Sequence, residues 1–386
     1  MCKHFGRCGG CSYLDIPYEQ ELELKTAALK EILGKHGNLL KDITPSPIVE
    51  GYRNKMEFAF GDEGKIGALA LGIRKKRSFY EVATPFECAL IPEDFKIISK
   101  HTLEYFQKNG EAFFHRKRQT GSLRHLVLRQ GAFTGENLVL LSASSQLATP
   151  LEPFAESLQS LKLPGDSKIV GILHSENDGV ADAVKNENTQ TIHGRDNYNE
   201  EIMNLRFNVS AFSFFQTNSA GAETLYKYIL EMAEGGDLAY DLYCGTGTIA
   251  QVIAPKFGRV IGIDIVEDAI TAAIENTKLN QINNCEFYPG DVAQVLRNLN
   301  PQTTSTPDVI ILDPPRNGLN PKSIHLIASL SPKKIIYVAC KPQSLARDIP
   351  LLADCGYAPA AMKAVDMFPR TPHMECICLM DRLTNL

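Results

Sequence analysis

Leu238-Ala239-Tyr240-Asp241-Leu242-Tyr243-Cys244-Gly245-Thr246-Gly247-Thr248 decides how the chain is read. A short apolar run ends in an acid and then two closely spaced glycines. That pattern predicts a buried strand turning sharply into a helix, the glycines letting backbone approach a ligand at the helix N-terminus. The rhythm recurs downstream. Val260-Ile261-Gly262-Ile263, Glu286-Phe287-Tyr288, Val309-Ile310-Ile311-Leu312 and Lys334-Ile335-Ile336-Tyr337-Val338 are further short apolar runs, and segments such as 248–254 and 267–279 carry helical patterning. Strands alternating with helices predict a parallel sheet covered on both faces. Such sheets bind ligands at the carboxyl ends of their strands.

Chemistry-bearing residues fall at those ends. Asp264 lies seventeen positions beyond Gly247, at the end of the second run. A carboxylate there can accept both hydroxyls of a ribose, so the turn and the acid together point to a nucleoside cofactor. Ala250 is a permissible third residue of a glycine fingerprint, and spacing alone leaves a dinucleotide open. Asp291, after the third run, is a candidate adenine contact or a plain turn carboxylate. The fourth run ends in Asp313-Pro314-Pro315-Arg316 and the fifth in Ala339-Cys340-Lys341-Pro342. Asp366-Met367-Phe368-Pro369-Arg370-Thr371-Pro372-His373-Met374-Glu375 precedes a last apolar run, Cys376-Ile377-Cys378-Leu379.

Upstream the pattern differs. A helix is expected from Glu19 to Leu33, ended by Gly34 and Gly37. From Pro45 to about Ile192 the chain is β-rich, with helical pieces near 93–109 and 151–161. A length of 386 residues, 44% of them hydrophobic, suits two domains. The expectation is a β-rich α+β unit over 1–200 and an α/β unit over 201–386. No eighteen-residue apolar stretch suggests a membrane span, and Met1-Cys2-Lys3-His4 lacks the apolar run of a secretory signal. The ten cysteines are therefore expected in a reducing cytoplasm, as ligands, nucleophiles or buried thiols.

Cys2, Cys8 and Cys11 form C-x5-C-x2-C, with Gly9-Gly10 letting the chain wrap a metal centre. Cys88 is the natural fourth ligand. Four thiolates suit zinc or an iron–sulfur cluster, and the spacing leaves both open. The net charge of −5 neither requires nor excludes a nucleic-acid partner. Two basic segments could neutralise phosphates: Arg74-Lys75-Lys76-Arg77, and Arg116-Lys117-Arg118 with Arg124 and Arg129. Phe79, Tyr80, Phe113 and Phe114 lie nearby and suit base stacking, although aromatics in β-rich stretches are more often core.

Taken together, these segments resemble the RNA 5-methyluridine methyltransferase family. The carriers are the glycine-rich run, Ser213-Phe214-Phe215-Gln216-Thr217-Asn218, Asp313-Pro-Pro-Arg-Asn-Gly318, Cys340-Lys-Pro-Gln-Ser-Leu-Ala-Arg-Asp348, the 366–375 stretch and Arg53-Asn54-Lys55-Met56-Glu57-Phe58. The resemblance spans essentially the whole chain. It implies a Rossmann-like class I S-adenosylmethionine-dependent fold at the C-terminus. It makes Cys340 the nucleophile and Glu375 the general base, puts Gln216, Tyr243, Asp264 and Asp313 at the cofactor, and gives Cys2, Cys8, Cys11 and Cys88 a [4Fe–4S] cluster. The family usually has Glu where Asp264 stands, and often Asn where Lys341 follows the nucleophile.

The implied chemistry explains the residue types. Uracil C5 is a poor nucleophile; thiolate addition at C6 makes it an enolate carbon able to attack a sulfonium methyl. A base then removes the C5 proton, a task suited to a partly desolvated Glu375. Lys341 is expected to favour the Cys340 thiolate, and Cys244, Cys285, Cys355, Cys376 and Cys378 are read as structural. The target base would flip into a pocket between the two units. Two rivals are an amino-group methyltransferase using Asp313-Pro-Pro-Arg and a non-catalytic iron–sulfur RNA-binding protein. The resemblance favours 23S ribosomal RNA as substrate, with transfer RNA second, a monomer, and no additional N-terminal RNA-binding β-barrel.

Overall fold

A computed structural model describes residues 2–64, 67–184, 186, 188–299 and 306–383. In chain order the N-terminal half contains α1 (Tyr18–Leu33), β1 (Ile43–Thr44), β2 (Lys55–Asp62), β3 (Leu69–Arg74), β4 (Val82–Ala83) and α2 (Glu93–Lys108). β5 (Leu123–Gln130), β6 (Glu136–Ala143), α3 (Leu151–Gln159), β7 (Lys168–Glu176) and β8 (Thr189–Gly194) follow. Seven of these strands form one sheet in the order β4-β3-β2-β5-β6-β7-β8. Every residue of β5 and β6 is buried, because both faces of the sheet are covered. Leu126, Leu128, Val139 and Leu141 pack with α2 and α3, while Val127, Leu138 and Leu140 feed the opposite core. That division follows from the two-residue period of a strand.

A hairpin of β9 (Asn197–Ile202) and β10 (Leu205–Ser210) leads into the second half. There α4 (Ser219–Ala233), β11 (Gly236–Leu242), α5 (Thr248–Ile253), β12 (Phe257–Asp264), α6 (Glu267–Leu279) and β13 (Cys285–Pro289) come first. They are followed by α7 (Val292–Asn298), β14 (Val309–Leu312), α8 (Pro321–Ser329), β15 (Lys334–Ala339), α9 (Pro342–Asp354), β16 (Tyr357–Val365) and β17 (Glu375–Arg382). The strands that the apolar runs predict are all present. The sheet order is β1-β16-β17-β15-β14-β11-β12-β13. It is parallel except for β17, which runs antiparallel between β15 and β16. Alternate residues again serve two cores: Val309 and Ile311 one, Ile310 and Leu312 the other.

Tyr18–Thr44 packs with this second sheet although it precedes the β-rich unit. β1 pairs with β16 through Ile43↔Ala364, and Leu29 and Leu33 of α1 share a core with Leu345 and Ile349 of α9. Among the described residues, no helix is long and apolar enough to cross a membrane.

Candidate active site

Six neighbouring strands bring their ends to one edge of the second sheet. The turn after β11 carries Tyr243; β12 ends in Asp264; Asp291 follows β13, Asp313 follows β14 and Cys340 follows β15. Glu375 opens β17, which runs the other way, so it comes to the same edge. The β15–β17 register pairs Ala339 with Cys376, and one further step sets Cys340 opposite Glu375. Directly opposed residues have Cβ atoms about 5 Å apart. Cys340 and Asp264 stand three strand intervals apart, about 14 Å at ~4.8 Å each. That is room for an extended nucleoside cofactor between them.

The glycine turn has the shape the sequence predicts. Gly245 and Gly247 adopt φ of +52° and +72°, conformations that favour glycine. A Cβ on Gly245 would meet nothing within 4 Å, so this backbone borders open space. A Cβ on Gly247 would strike the Phe287 ring at 2.7 Å, so that glycine serves helix packing. Asp264 accepts hydrogen bonds from Gly245 N at 2.9 Å and Val266 N at 2.9 Å, which fixes its carboxylate beside the turn. Exposed Ile265 and Val266 follow it and offer an apolar wall. Asp291 caps α7 by accepting from Gln294 N at 3.0 Å, so part of its bonding capacity is committed to the helix.

Electrostatics at the edge are dominated by crowded carboxylates. Asp241, fully buried in β11, accepts from Ala250 N at 2.9 Å while its Oδ1 has no partner among the described residues. Burial and then Asp313 push its carboxyl well above the usual range. Burial raises the Asp313 carboxyl to about 7. Glu375 is 4% exposed, and its Oε2 has no hydrogen-bond partner among the described residues. Burial and then Asp313 lift it well above the ordinary carboxylate range, against the pull of Arg316. Burial, then Glu375 and Asp313, push the Cys340 thiol up to about 11, with Arg316 again opposing. A desolvated carboxyl with a free oxygen, facing a thiol across a strand pair, is suited to accepting a proton in a closed site.

The structure corrects the expectation for Lys341. Its side chain is exposed, and the side-chain charge that favours the Cys340 thiolate belongs to Arg316 of the Asp313-Pro-Pro-Arg loop. Pattern reading also missed several positioning residues. Asn54, 3% exposed, donates from Nδ2 to Gln216 O at 3.2 Å and Ser219 Oγ at 2.8 Å, tying the β-rich unit to the segment that carries Gln216. Asn218 caps α4 and also reaches Met367 O at 3.0 Å, which places Gln216 near the same sheet edge. Asp348 accepts from Tyr337 Oη at 2.7 Å and Leu319 N at 2.8 Å, fastening the Asp313 loop to α9. Tyr226 of α4 is buried, and its phenol is raised by burial and by Asp313, Asp241 and Glu375, so it belongs to the same centre.

Cys2, Cys8, Cys11 and Cys88 line one small cavity, walled by Ile73 and Leu90 among other apolar side chains. Gly10 N donates to Cys8 Sγ at 3.3 Å. Four soft thiols around an apolar space, one receiving an N–H···S bond, fit the donor chemistry of a metal–sulfur group. Among the described residues, no three His, Cys, Asp or Glu side chains are gathered tightly enough to hold a metal ion.

The basic segments divide sharply. Arg124 and Arg129 are 4% and 1% exposed, contrary to a role in phosphate contact. Arg124 donates to the carbonyls of Asn177, Gly179 and Ala181, and Arg129 to those of Ser210, Ala211 and Ser213. Both guanidiniums are turned inward onto backbone carbonyls. Phe114 is also buried, beneath Arg124. Lys76, Arg77, Lys117 and Arg118 remain exposed. Phe79 is 74% exposed, and Tyr80 stacks on His115 with ring centroids 4.5 Å apart.

Comparison with known proteins gives a consistent picture. A family model described as tRNA (uracil-5-)-methyltransferase matches residues 184–383. An uncharacterized RNA methyltransferase of Caldanaerobacter subterraneus is 42% identical over 390 residues, covering 99% of this chain and 84% of that protein. One from Clostridium acetobutylicum is 43% identical over 395 residues, covering 99% and 83%. The crystal structure of Pyrococcus abyssi tRNA (uracil-54, C5)-methyltransferase in complex with S-adenosyl-L-homocysteine is 26% identical, with a TM-score of 0.78 over 97% of this chain and 86% of that one.

Proposed function

We propose, from the premise that the chain belongs to the tRNA (uracil-5-)-methyltransferase family, that Cys340 and Glu375 carry uridine-C5 methylation in 23S ribosomal RNA. The observation that carries this reading is the β15–β17 register, which sets a thiol opposite a buried carboxyl at the sheet edge beside the glycine turn. Asp264 would hold the ribose, with Gln216, Tyr243 and Asp313 completing the cofactor site. S-Adenosylmethionine, when bound, supplies an electrophilic methyl group to the activated base. Cys340, as its thiolate after losing its proton to solvent, adds through Sγ to uracil C6; the C5–C6 π electrons move into the enolate, and C5 becomes nucleophilic. Glu375 takes the C5 proton after methylation, the C6–S bond breaks, and the ring double bond re-forms.

Cys2, Cys8, Cys11 and Cys88 would hold a [4Fe–4S] cluster, whose bonds would cross-link the N-terminal loop to the loop bearing Cys88. The thiol-lined cavity supports this assignment. RNA would meet the neighbouring hairpin. Lys76 N bonds Arg7 O at 2.9 Å, which sets the basic 74–77 segment beside the cysteine loop. Exposed Phe79 suits stacking on an unpaired base, with Lys76, Arg77, Lys117 and Arg118 available to phosphates. The units would be 1–200 and 201–386, with Tyr18–Thr44 lent to the second, in a cytoplasmic protein.

A transfer-RNA substrate is the second reading, favoured by the Pyrococcus abyssi likeness. Tritiated methyl mapping on total RNA lacking the modification separates the two. Label at a 23S uridine is expected; label confined to transfer RNA would overturn that choice.

A further inference from the structure

The segment 366–374 runs directly into Glu375, and its anchorage is unusual. Arg370 has φ +69°, a left-handed conformation that costs a non-glycine residue about 1 kcal/mol or more. Contacts on every side hold it there. Its N–H donates to Glu21 Oε1 at 2.7 Å. Its carbonyl accepts from Ser12 N at 2.8 Å and Tyr13 N at 3.3 Å. Its guanidinium donates to Ile16 O at 3.0 Å and lies over the Tyr18 ring, 5.6 Å from the centroid.

Around it stands a buried ion network. Lys25, 1% exposed, bridges Glu21 at 2.8 Å and Asp366 at 2.7 Å; both partners are fully buried. Tyr18 Oη donates to the other Asp366 oxygen at 2.9 Å, and Lys25 also reaches Phe368 O at 3.3 Å. Glu21 and Asp366 are thus balanced by Lys25 and Arg370. Buried charges of this kind seldom add stability over an apolar core, but they fix one geometry, because a broken member leaves an unpaired charge. Tyr52 Oη donates to Pro369 O at 3.0 Å on the remaining side. The residues that receive Arg370 begin at Ser12, immediately after Cys11.

We infer that Arg370 is a positioning residue that locks the base-bearing segment to the cysteine loop, so that the state of the four-thiol site is transmitted to Glu375. The inference rests on the assignments of Glu375 as base and of the cluster. Ordering of residues 2–11 by a bound cluster would hold Ser12 and Tyr13 in place. Those amides would then hold the Arg370 carbonyl, and Pro372, His373 and Met374 leave little slack before Glu375. Loss of the anchor would leave the thiol and cofactor site intact while misplacing the base. Misplacement of about 1 Å at a reacting group can cost about 100-fold in rate.

The test is hydrogen exchange on the full chain, with iron present and after chelation, together with Arg370→Ala and Arg370→Lys. Iron removal is expected to speed exchange across 366–375 about ten-fold, with helix α6 unchanged as an internal control. The same iron removal should add less in Arg370→Ala, which keeps the Ser12 and Tyr13 amide bonds to its carbonyl but loses the guanidinium contacts to Ile16 O and the Tyr18 ring. That variant should keep its iron and its affinity for S-adenosylhomocysteine, lose about 10–100-fold in kcat with little change in KM, and shift the pH profile of kcat. Arg370→Lys should recover little, because an ammonium cannot reproduce the guanidinium contacts. Unchanged exchange at 366–375 on iron removal, or a wild-type pH profile in Arg370→Ala, would overturn the coupling. Protein without iron would instead overturn the cluster assignment, leaving the Arg370→Ala arm to decide positioning. Full activity in Glu375→Gln would overturn the base, leaving the exchange arm to decide transmission.

Discussion

Glu375→Gln should move two properties of the centre in opposite directions. The substitution keeps the shape of the side chain and removes its charge. Two unit charges about 5 Å apart interact by about 3 kcal/mol at an effective dielectric of ~20. The full rise of the Cys340 thiol, from 9.0 to about 11, corresponds to about 2.7 kcal/mol at 1.36 kcal/mol per pH unit. Burial is the largest cause of that rise and Asp313 supplies a further share, so the Glu375 share is about 1 kcal/mol, and screening on the open side of the cleft trims it. Removing a negative neighbour stabilises the thiolate, so the alkylation midpoint must fall. In the pH range where Glu375 is ionised and the thiol is not, substrate-free Cys340 should react with iodoacetamide about three- to five-fold faster, an energy of about 1 kcal/mol. Turnover should fall about 10²–10⁴-fold, the usual worth of a positioned base, and the methylated RNA adduct should accumulate. Thiol titration over pH 8–12 and single-turnover gels measure both. Slower or unchanged alkylation with turnover within ten-fold of wild type would refute the reasoning.

Three further outcomes follow from the same geometry. Lys117→Ala or Arg118→Ala should lower the salt slope of RNA binding by about one, whereas Arg129→Ala should leave that slope alone and lower the urea midpoint, since its guanidinium satisfies buried carbonyls. Asp348→Asn should cost about 1–3 kcal/mol of stability in urea titration, because its carboxylate serves Tyr337, Leu319 and Arg347 together. Asn54→Ala should weaken S-adenosylhomocysteine binding about ten-fold by calorimetry, through loss of two hydrogen bonds, one of them buried, to the segment that carries Gln216.

The centre of the second sheet was readable in advance because β11 to β15 and β17 are short apolar runs, and the candidate site residues stand where those runs stop. Tyr243, Asp264, Asp313 and Cys340 are local features of that kind. Glu375 could be placed beside Cys340 only by the motif around it, since no periodicity announces that β17 enters antiparallel between β15 and β16. Burial of Arg124 and Arg129 was not readable either. A guanidinium that feeds three carbonyls and one that meets phosphate look alike in sequence; the difference lies in loops some fifty to eighty residues away. The same holds for Arg370 and Asn54, whose partners are backbone groups contributed by distant segments. The addition of α1 and β1 to the second sheet has no sequence signal for a related reason, since a two-residue strand carries no pattern.

The central claim is that Cys340 bonds covalently to the base. Incubation of the full chain with S-adenosylmethionine and RNA carrying 5-fluorouridine tests it most directly, because fluorine cannot leave as a proton does and the adduct is trapped. The account predicts a denaturation-resistant protein–RNA complex carrying one transferred methyl group, attached through Cys340, absent in Cys340→Ala and retained in Cys376→Ala. An adduct that survives in Cys340→Ala, or methyl transfer by that variant at the wild-type rate, would contradict it.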